Sequence, residues 1–197
     1  MDEPAGARVT LTPGGAYAEI DVAGQNAAVG ALLGPDEAGR ARAVTAVLEA
    51  PGRFAPPVLY ALSEVLSVYG ERDEGAFWFY AAQLRARFDA NRCTDPTAAA
   101  AVGSLNERFG PPVKAHAFRD PDLLRALVER AVAWDRATPH DYDHRWINLH
   151  GMAAFGGPAG EPLSLPAPEW AALAERTRRD YRAGLEEALR RLAAGPA

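Results

Sequence analysis

Three of the chain's four histidines lie in one short stretch, HDYDHRWINLH, at residues 140–150. They are His140, His144 and His150, and an acidic residue, Asp141, directly follows the first. Two histidines four positions apart lie on one face of an α-helix, where both rings can bind one Zn²⁺ ion. A nearby carboxylate can then activate a metal-bound water as a general base. The stretch therefore raises the prospect of a metal site, to be weighed against histidines hydrogen-bonded inside a folded core.

The histidine spacing resembles the zincin motif H-E-x-x-H and its longer metzincin form, in which a third histidine comes six positions later. The resemblance implies a zinc-dependent hydrolase. His140, His144 and His150 would hold the metal, and Asp141 or Asp143 would be the general base. Zinc is the one cofactor that the sequence offers as an alternative to having none.

Two letters of the stretch depart from that motif. Asp141 stands in place of the longer glutamate, and Ile147 stands in place of the glycine that turns the chain toward the third ligand. Moreover, Thr138 and Pro139 are typical of a helix start, with the threonine as N-cap and the proline at the first helical position. Asp141 would then cap a helix over residues 139–150 rather than activate a water.

The same stretch also fits a purely structural role, which we favour. Four large side chains in and beside it are expected to pack in a core: Trp134, Tyr142, Trp146 and Ile147. The histidines would then form hydrogen bonds with carboxylates and backbone carbonyls, because buried polar groups need such partners. In this interpretation the protein has no cofactor and no catalytic residue here.

A second candidate site is a polar stripe on an otherwise apolar helix. Gln83, Arg87 and Asn91 recur at intervals of four, and Arg92 lies beside them. Such a stripe can bind a carboxylate or phosphate, since arginine donates paired, charge-assisted hydrogen bonds. The structural alternative, which we favour, is a buried network with neighbouring aspartates such as Asp89.

Composition excludes several classes of protein. The 197 residues are 48% hydrophobic and 24% charged, as expected for a globular domain with a real core. The net charge of −5 gives no general attraction to nucleic acid or anionic lipid. A single cysteine, Cys93, argues against a disulfide-stapled secreted domain. Without a signal peptide or an apolar run of roughly 18 residues, a cytoplasmic protein is expected.

Helical periodicity organises most of the chain from Asp36 onward. The predicted helices are 36–50, 58–69, 73–91, 95–109, 121–135 and 166–194. Gly110-Pro111-Pro112 is expected to stop the fourth helix. Residues 1–35, with turns around the β-prone pieces ARVTLT and AYAEIDV, predict an irregular arm or a short hairpin. The expected fold is all-α: a helical bundle or short α-solenoid of about six helices at 36–197, after an N-terminal arm.

Residues 59–84 resemble one helical hairpin of a tetratricopeptide or Sel1-like repeat. The matching letters are Leu62, Ser63, Leu66, Gly70, Asp73, Ala76, Phe79 and Tyr80. The resemblance implies two closely packed helices in a scaffold that binds protein partners. It covers one copy, whereas repeat folds need about three.

The expected function is therefore non-enzymatic: a bacterial, cytoplasmic protein-binding module that acts through a helical surface. An immunity or antitoxin-type protein, which neutralises its partner, is an example of this kind. The alternative is a metal-dependent hydrolase that uses a His140/His144/His150 zinc site, so an enzymatic role is left open. Nothing in the sequence indicates the oligomeric state.

Overall fold

The computed structural model describes residues 14–156 and 161–194, and it confirms the all-α fold class. Seven α-helices lie in these residues: α1 Ala23–Leu33, α2 Glu37–Glu49, α3 Pro56–Val68, α4 Arg72–Arg92, α5 Ala100–Ala117, α6 Pro121–Ala137 and α7 Trp170–Ala194. Short 3₁₀ turns join several of them, and the described ranges contain no named strand.

Helix α4 is the centre of the molecule. Residues 75–82 are all buried, as expected for a helix start that is apolar all round. It packs against α3, α5, α6 and α7, so side chains from every side of it meet other helices. Burial of each large apolar side chain contributes about 1.5–3 kcal/mol, which makes this helix the main source of core stability.

Helices α3 and α4 form a tight hairpin. Gly70 in the loop between them has a φ of +93°, a left-handed conformation that favours glycine. The two helices approach closely at Gly75, where an added Cβ would lie 2.9 Å from the carbonyl oxygen of Ser63. The two helices of the hairpin are thus present in the structure, while kinship with a repeat family stays a prediction.

The described part of the N-terminal arm is helical rather than a hairpin. Residues 1–13, which contain ARVTLT, lie outside the described residues. The piece AYAEIDV overlaps a 3₁₀ helix, Gly15–Glu19, and α1 follows it without a strand. Helix α1 packs on α2 and α3 and fully buries Leu32. These tertiary contacts outweigh the local β-preference of the sequence.

Helix α5 runs past the point at which it was predicted to stop. It continues through Pro111 and Pro112 to Ala117, so the predicted stop at Gly110 is wrong. Each proline removes one helical N–H donor. The helix nevertheless persists because Val113 and Ala117, which follow the prolines, bury their side chains in the core.

Helix α7 closes the bundle against α4 and α6. Tyr181 and Leu189 are buried on its inner face. At the surface, α7 and α6 are linked by ion pairs such as that between Glu129 and Arg182. Among the described helices, none combines the length and the apolar character that crossing a bilayer requires.

Candidate functional site

The histidine stretch is a loop followed by a 3₁₀ helix, so the predicted helix over residues 139–150 is wrong. Thr138 ends α6, and its N–H donates to the carbonyl of Trp134. Because a residue before proline is restricted to extended backbone, Pro139 forces this ending. The 3₁₀ helix His144–His150 starts later, capped by the Asp143 carboxylate.

The three histidines have different partners. His140 Nε2 lies 3.0 Å from Asp135 Oδ1, and His144 Nε2 lies 2.8 Å from Ser164 Oγ. The ring of His150 packs against an indole instead. Within residues 14–156 and 161–194, no group of three histidine, cysteine, aspartate or glutamate side chains is placed to hold a metal ion. The fold thus does not gather the predicted ligands around one point.

The two predicted general bases also face other groups. The carboxylate of Asp143 lies 2.7 Å from Arg145 Nη2. Asp141 is exposed, and its backbone N–H donates to the carbonyl of Gly52. Burial, together with the charge of Arg92, lowers the pKa of His144 to about 4. His144 is therefore a neutral imidazole at physiological pH.

A buried ion-pair network surrounds Asp135 on α6. Its carboxylate accepts hydrogen bonds from Arg85 Nε at 3.1 Å and from Arg178 Nε at 2.8 Å, and it contacts His140 as well. Burial alone would raise the pKa of Asp135, but His140, Arg85 and Arg178 together lower it. The Arg85 guanidinium, which is fully buried, also lies over the Trp134 ring. This carboxylate is therefore an internal counter-ion.

Asp89 on α4 is the second internal counter-ion, and it is fully buried. It accepts hydrogen bonds from Arg92 Nη2 at 2.6 Å, from Trp146 Nε1 at 2.7 Å and from the Tyr142 hydroxyl at 3.0 Å. Arg92, a predicted partner-binding residue, is thus engaged inside the core. Asn91 is exposed, and its amide donates to Thr177.

Gln83 and Arg87, the other two residues of the predicted stripe, line a cavity of about 310 Å³ between α4, α5, α6 and α7. We call it the four-helix cavity. Its lining consists of Phe79, Tyr80, Gln83, Arg87, Asn106, Lys114, Phe118, Leu124, Val128, Tyr181, Gly184, Leu185 and Ala188. Exposed residues in this lining, such as Arg87, Lys114 and Gly184, show that it opens to solvent.

The charge in this cavity is of one sign. Arg87 and Lys114 line it, and no lining residue is acidic. Neither cation has a carboxylate within 4.0 Å in the part of the chain that the structure describes. Some other surface arginines, such as Arg130 and Arg182, are paired with glutamates. The cavity therefore has positive charge that no internal group neutralises.

Hydrogen bonds occupy the side-chain oxygens of two amides in the cavity, Gln83 and Asn106, and leave N–H groups available to a ligand. The Asn106 Oδ1 atom accepts from the Tyr60 hydroxyl and from Gln83 Nε2, both at 2.8 Å. The Gln83 Oε1 atom accepts from the Tyr181 hydroxyl at 2.6 Å. Both amide oxygens are thus occupied, whereas an amide nitrogen carries two donors. The groups of this network that can still form hydrogen bonds are therefore N–H donors.

Tyr80 also lines the cavity, and its hydroxyl is buried. Only 6% of the residue is exposed, and its hydroxyl has no hydrogen-bond partner among the described residues. Burial raises the pKa of Tyr80 well above its ordinary value, so the group stays a neutral hydroxyl. An unsatisfied buried polar group costs the fold about 1–3 kcal/mol.

Two other cavities have different linings. One of about 550 Å³ is lined by mostly apolar residues such as Val29 and Leu105, with His150 at its wall. Another of about 440 Å³ contains cations, but Glu64 also lines it and pairs with Arg108. The 440 Å³ cavity also holds Arg72 and Arg119, which pair with no described carboxylate, so the four-helix cavity differs from it by having no acidic residue in its lining and by its spare amide donors.

Sequence reasoning found two residues of this site and missed the rest. The interval of four between Gln83 and Arg87 identified one wall. Lys114 carried a weak signal, because it is the chain's one lysine. Asn106 and Tyr80 carried none, since no pattern in the sequence showed that they would line the same space.

Comparisons of the chain with protein-family models, with curated proteins and with solved structures found no match.

Proposed function

We propose that the protein is a non-enzymatic binding protein that holds a small anionic ligand in the four-helix cavity. The observation that carries this proposal is the pair of cations, Arg87 and Lys114, in a lining without an acid. Arginine forms paired hydrogen bonds with carboxylate and phosphate groups, and lysine adds a second positive charge.

The chemistry of the lining supports binding rather than catalysis. It contains no histidine, cysteine, serine, aspartate or glutamate. Its tyrosines, Tyr80 and Tyr181, have pKa values that burial raises well above the ordinary range, so they stay protonated at neutral pH and no phenolate is available as a general base. A general base or an activated nucleophile would need a group that exchanges protons near neutral pH.

The test is anion binding by the purified full chain and by Arg87→Gln and Lys114→Gln variants. Calorimetric titration with inorganic phosphate and short carboxylates should show saturable binding that either substitution weakens roughly ten- to a hundredfold, as loss of a charged hydrogen bond implies. Arg190→Gln is the matched control, because Arg190 is an exposed arginine of α7 paired with Glu187. No saturable binding, or equal binding by all four proteins, would refute the proposal.

A second candidate function, protein binding, is favoured by an exposed apolar patch. Val68 and Tyr69, at the end of α3, are 77% and 58% exposed, and Leu33 at the end of α1 is 39% exposed. The side chain of Arg40 donates to both Leu32 and Tyr69, so the two helix ends lie together. Contiguous exposed apolar surface is typical of protein interaction sites.

The partner in that case would be a protein, and an immunity or antitoxin-type role stays a proposal. Co-purification from the native host should recover a partner with the unmodified protein and lose it with Val68→Asp. Leu192→Asp provides the control, because Leu192 is also exposed but lies on α7. If both variants retain the partner, the patch is not the binding surface.

A further inference from the structure

The positions of the two cations restrict what kind of anion the four-helix cavity can hold. Gln83 of α4 is hydrogen-bonded to Asn106 of α5, and Phe79 of α4 lies next to Gly110 of α5, where an added Cβ would be 3.3 Å from the Phe79 ring. Residue numbers thus fall along α4 as they rise along α5, so the two helices are antiparallel. Arg87 and Lys114 are therefore on opposite sides of the Gln83–Asn106 pair.

The two charged groups lie at different levels of the cavity. The Arg87 guanidinium is 5.4 Å from the centre of the Tyr181 ring, and the Tyr181 hydroxyl bonds Gln83. The Lys114 chain bends back, so that its Cε would be 3.4 Å from a Cβ on Gly110. These levels, at Gln83 and at Phe79 on α4, differ by about one helical turn, which places the charges roughly 5–6 Å apart along the axis.

Apolar side chains fill the walls between and around the charges. They are Phe79, Phe118, Leu124, Val128 and Leu185. Each charged level carries one cation, which matches the single negative charge of a carboxylate better than the denser charge of a phosphate. The Arg87 guanidinium and Gln83 both contact Tyr181, so the spare amide donors of Gln83 and Asn106 are on hand to complete the binding of one carboxylate.

We propose that the ligand of the four-helix cavity is a dicarboxylate whose two acidic groups are joined by an apolar segment. One carboxylate binds Arg87 and the amide donors, and the other binds Lys114. This inference rests on the proposed anion-binding function. A volume of about 310 Å³ fits it, since at about 30 Å³ for each water-sized group the cavity has room for roughly ten non-hydrogen atoms. Adipate and pimelate are of that size.

Calorimetric titration with matched pairs of acids tests the inference. Pimelate has two carboxylates and heptanoate has one, on chains of equal length. The unmodified protein should bind pimelate at least tenfold more tightly than heptanoate, with an optimum between glutarate and suberate. In both Arg87→Gln and Lys114→Gln, pimelate should lose this advantage and bind about as weakly as heptanoate.

Two further variants separate a binding defect from a folding defect. Arg87→Lys keeps the charge but loses the paired hydrogen bonds, so it should bind pimelate with intermediate affinity. Arg190→Gln should bind like the unmodified protein. Melting curves establish that each variant is folded before it is titrated.

The possible failures are distinguishable. Equal binding of heptanoate and pimelate, dependent on Arg87, would overturn the dicarboxylate inference and leave the anion-binding proposal intact. Tighter binding of inorganic phosphate, dependent on both cations, would do the same in favour of a compact anion. Absence of any anion binding that depends on Arg87 or Lys114 would overturn both.

Discussion

Two regions of this molecule concentrate charged and polar side chains, and they differ in what neutralises the charge. Around Asp135 and Asp89, buried arginines meet buried carboxylates within the chain. In the four-helix cavity, Arg87 and Lys114 share a lining that holds no acid. A buried charge needs a counter-charge, so the first region stabilises the fold. The cations of the second region are exposed and pair with no described carboxylate, so they are free to bind the ligand that we propose. The density of histidine and arginine in the sequence does not distinguish them.

The largest expected effect is on the region with internal counter-ions. Asp135→Asn leaves Arg85 and Arg178 buried without their carboxylate. Breaking a buried ion pair on one side costs about 3–5 kcal/mol, and urea unfolding should show a loss of this size. Glu186→Gln, which removes a surface partner of Arg125, is the control and should leave the unfolding midpoint almost unchanged. Equal midpoints for both variants would contradict the assigned role of Asp135.

The substitution Arg87→Gln in the cavity should weaken anion binding and leave stability almost unchanged. Arg87→Gln removes an exposed cation that pairs with no carboxylate among the described residues, so the free energy of unfolding should hardly change. Anion binding should nevertheless weaken roughly ten- to a hundredfold. Urea unfolding and calorimetric titration of the same preparation measure both quantities. A variant that loses stability but keeps binding would reverse the distinction between the two regions.

Much of the fold could be predicted from the sequence, because helical periodicity survives in every long apolar stripe. The misplaced boundaries have tertiary causes. Buried Val113 and Ala117 carry α5 through its prolines, and packing on α2 and α3 makes α1 a helix. The end of α6 was predicted to within two residues. The helix predicted to start at Pro139 was wrong, because Thr138 and Pro139 only resemble a capping pattern and the chain continues there as a loop.

The site was less predictable than the fold, for a geometric reason. Gln83 and Arg87 share a helix face, so their interval of four revealed them. Asn106 and Lys114 belong to α5, and only helix packing brings them to the same cavity. The histidine stretch presented the reverse problem. Its spacing matched a metal motif, but the chain there is a loop and a 3₁₀ helix, which directs the rings to different partners.

A smaller effect concerns pH. Burial lowers the pKa of His144 to about 4 from an unfolded value of 6.5. The unfolded chain therefore binds more protons between these values, and stability should fall by about 1–2 kcal/mol as the pH drops through that window. His144→Gln should reduce the dependence of stability on pH. Part of the dependence should remain, because desolvation also lowers the pKa of His150.

Unfolding by urea at a series of pH values between 7 and 4 measures that dependence. His116→Gln is the matched control, since His116 pairs with Asp73 outside the histidine stretch. An identical slope in His144→Gln and in the unmodified protein would show that the burial of His144 has no part in it.

The smallest expected effect is that of metal removal. Because His140, His144 and His150 have separate partners, a chelator should leave the melting temperature of untagged protein unchanged. Mass spectrometry should find no stoichiometric zinc. About one zinc for each chain, lost together with stability, would instead revive the metal-dependent hydrolase.

The most direct measurement is a crystal structure of the full chain grown with pimelate. Density for the ligand should lie in the four-helix cavity, with one carboxylate at Arg87 and Asn106 and the other at Lys114. Ligand density in another cavity, with the four-helix cavity holding none, would contradict the claim that unpaired cations and spare hydrogen-bond donors mark the functional site of this protein.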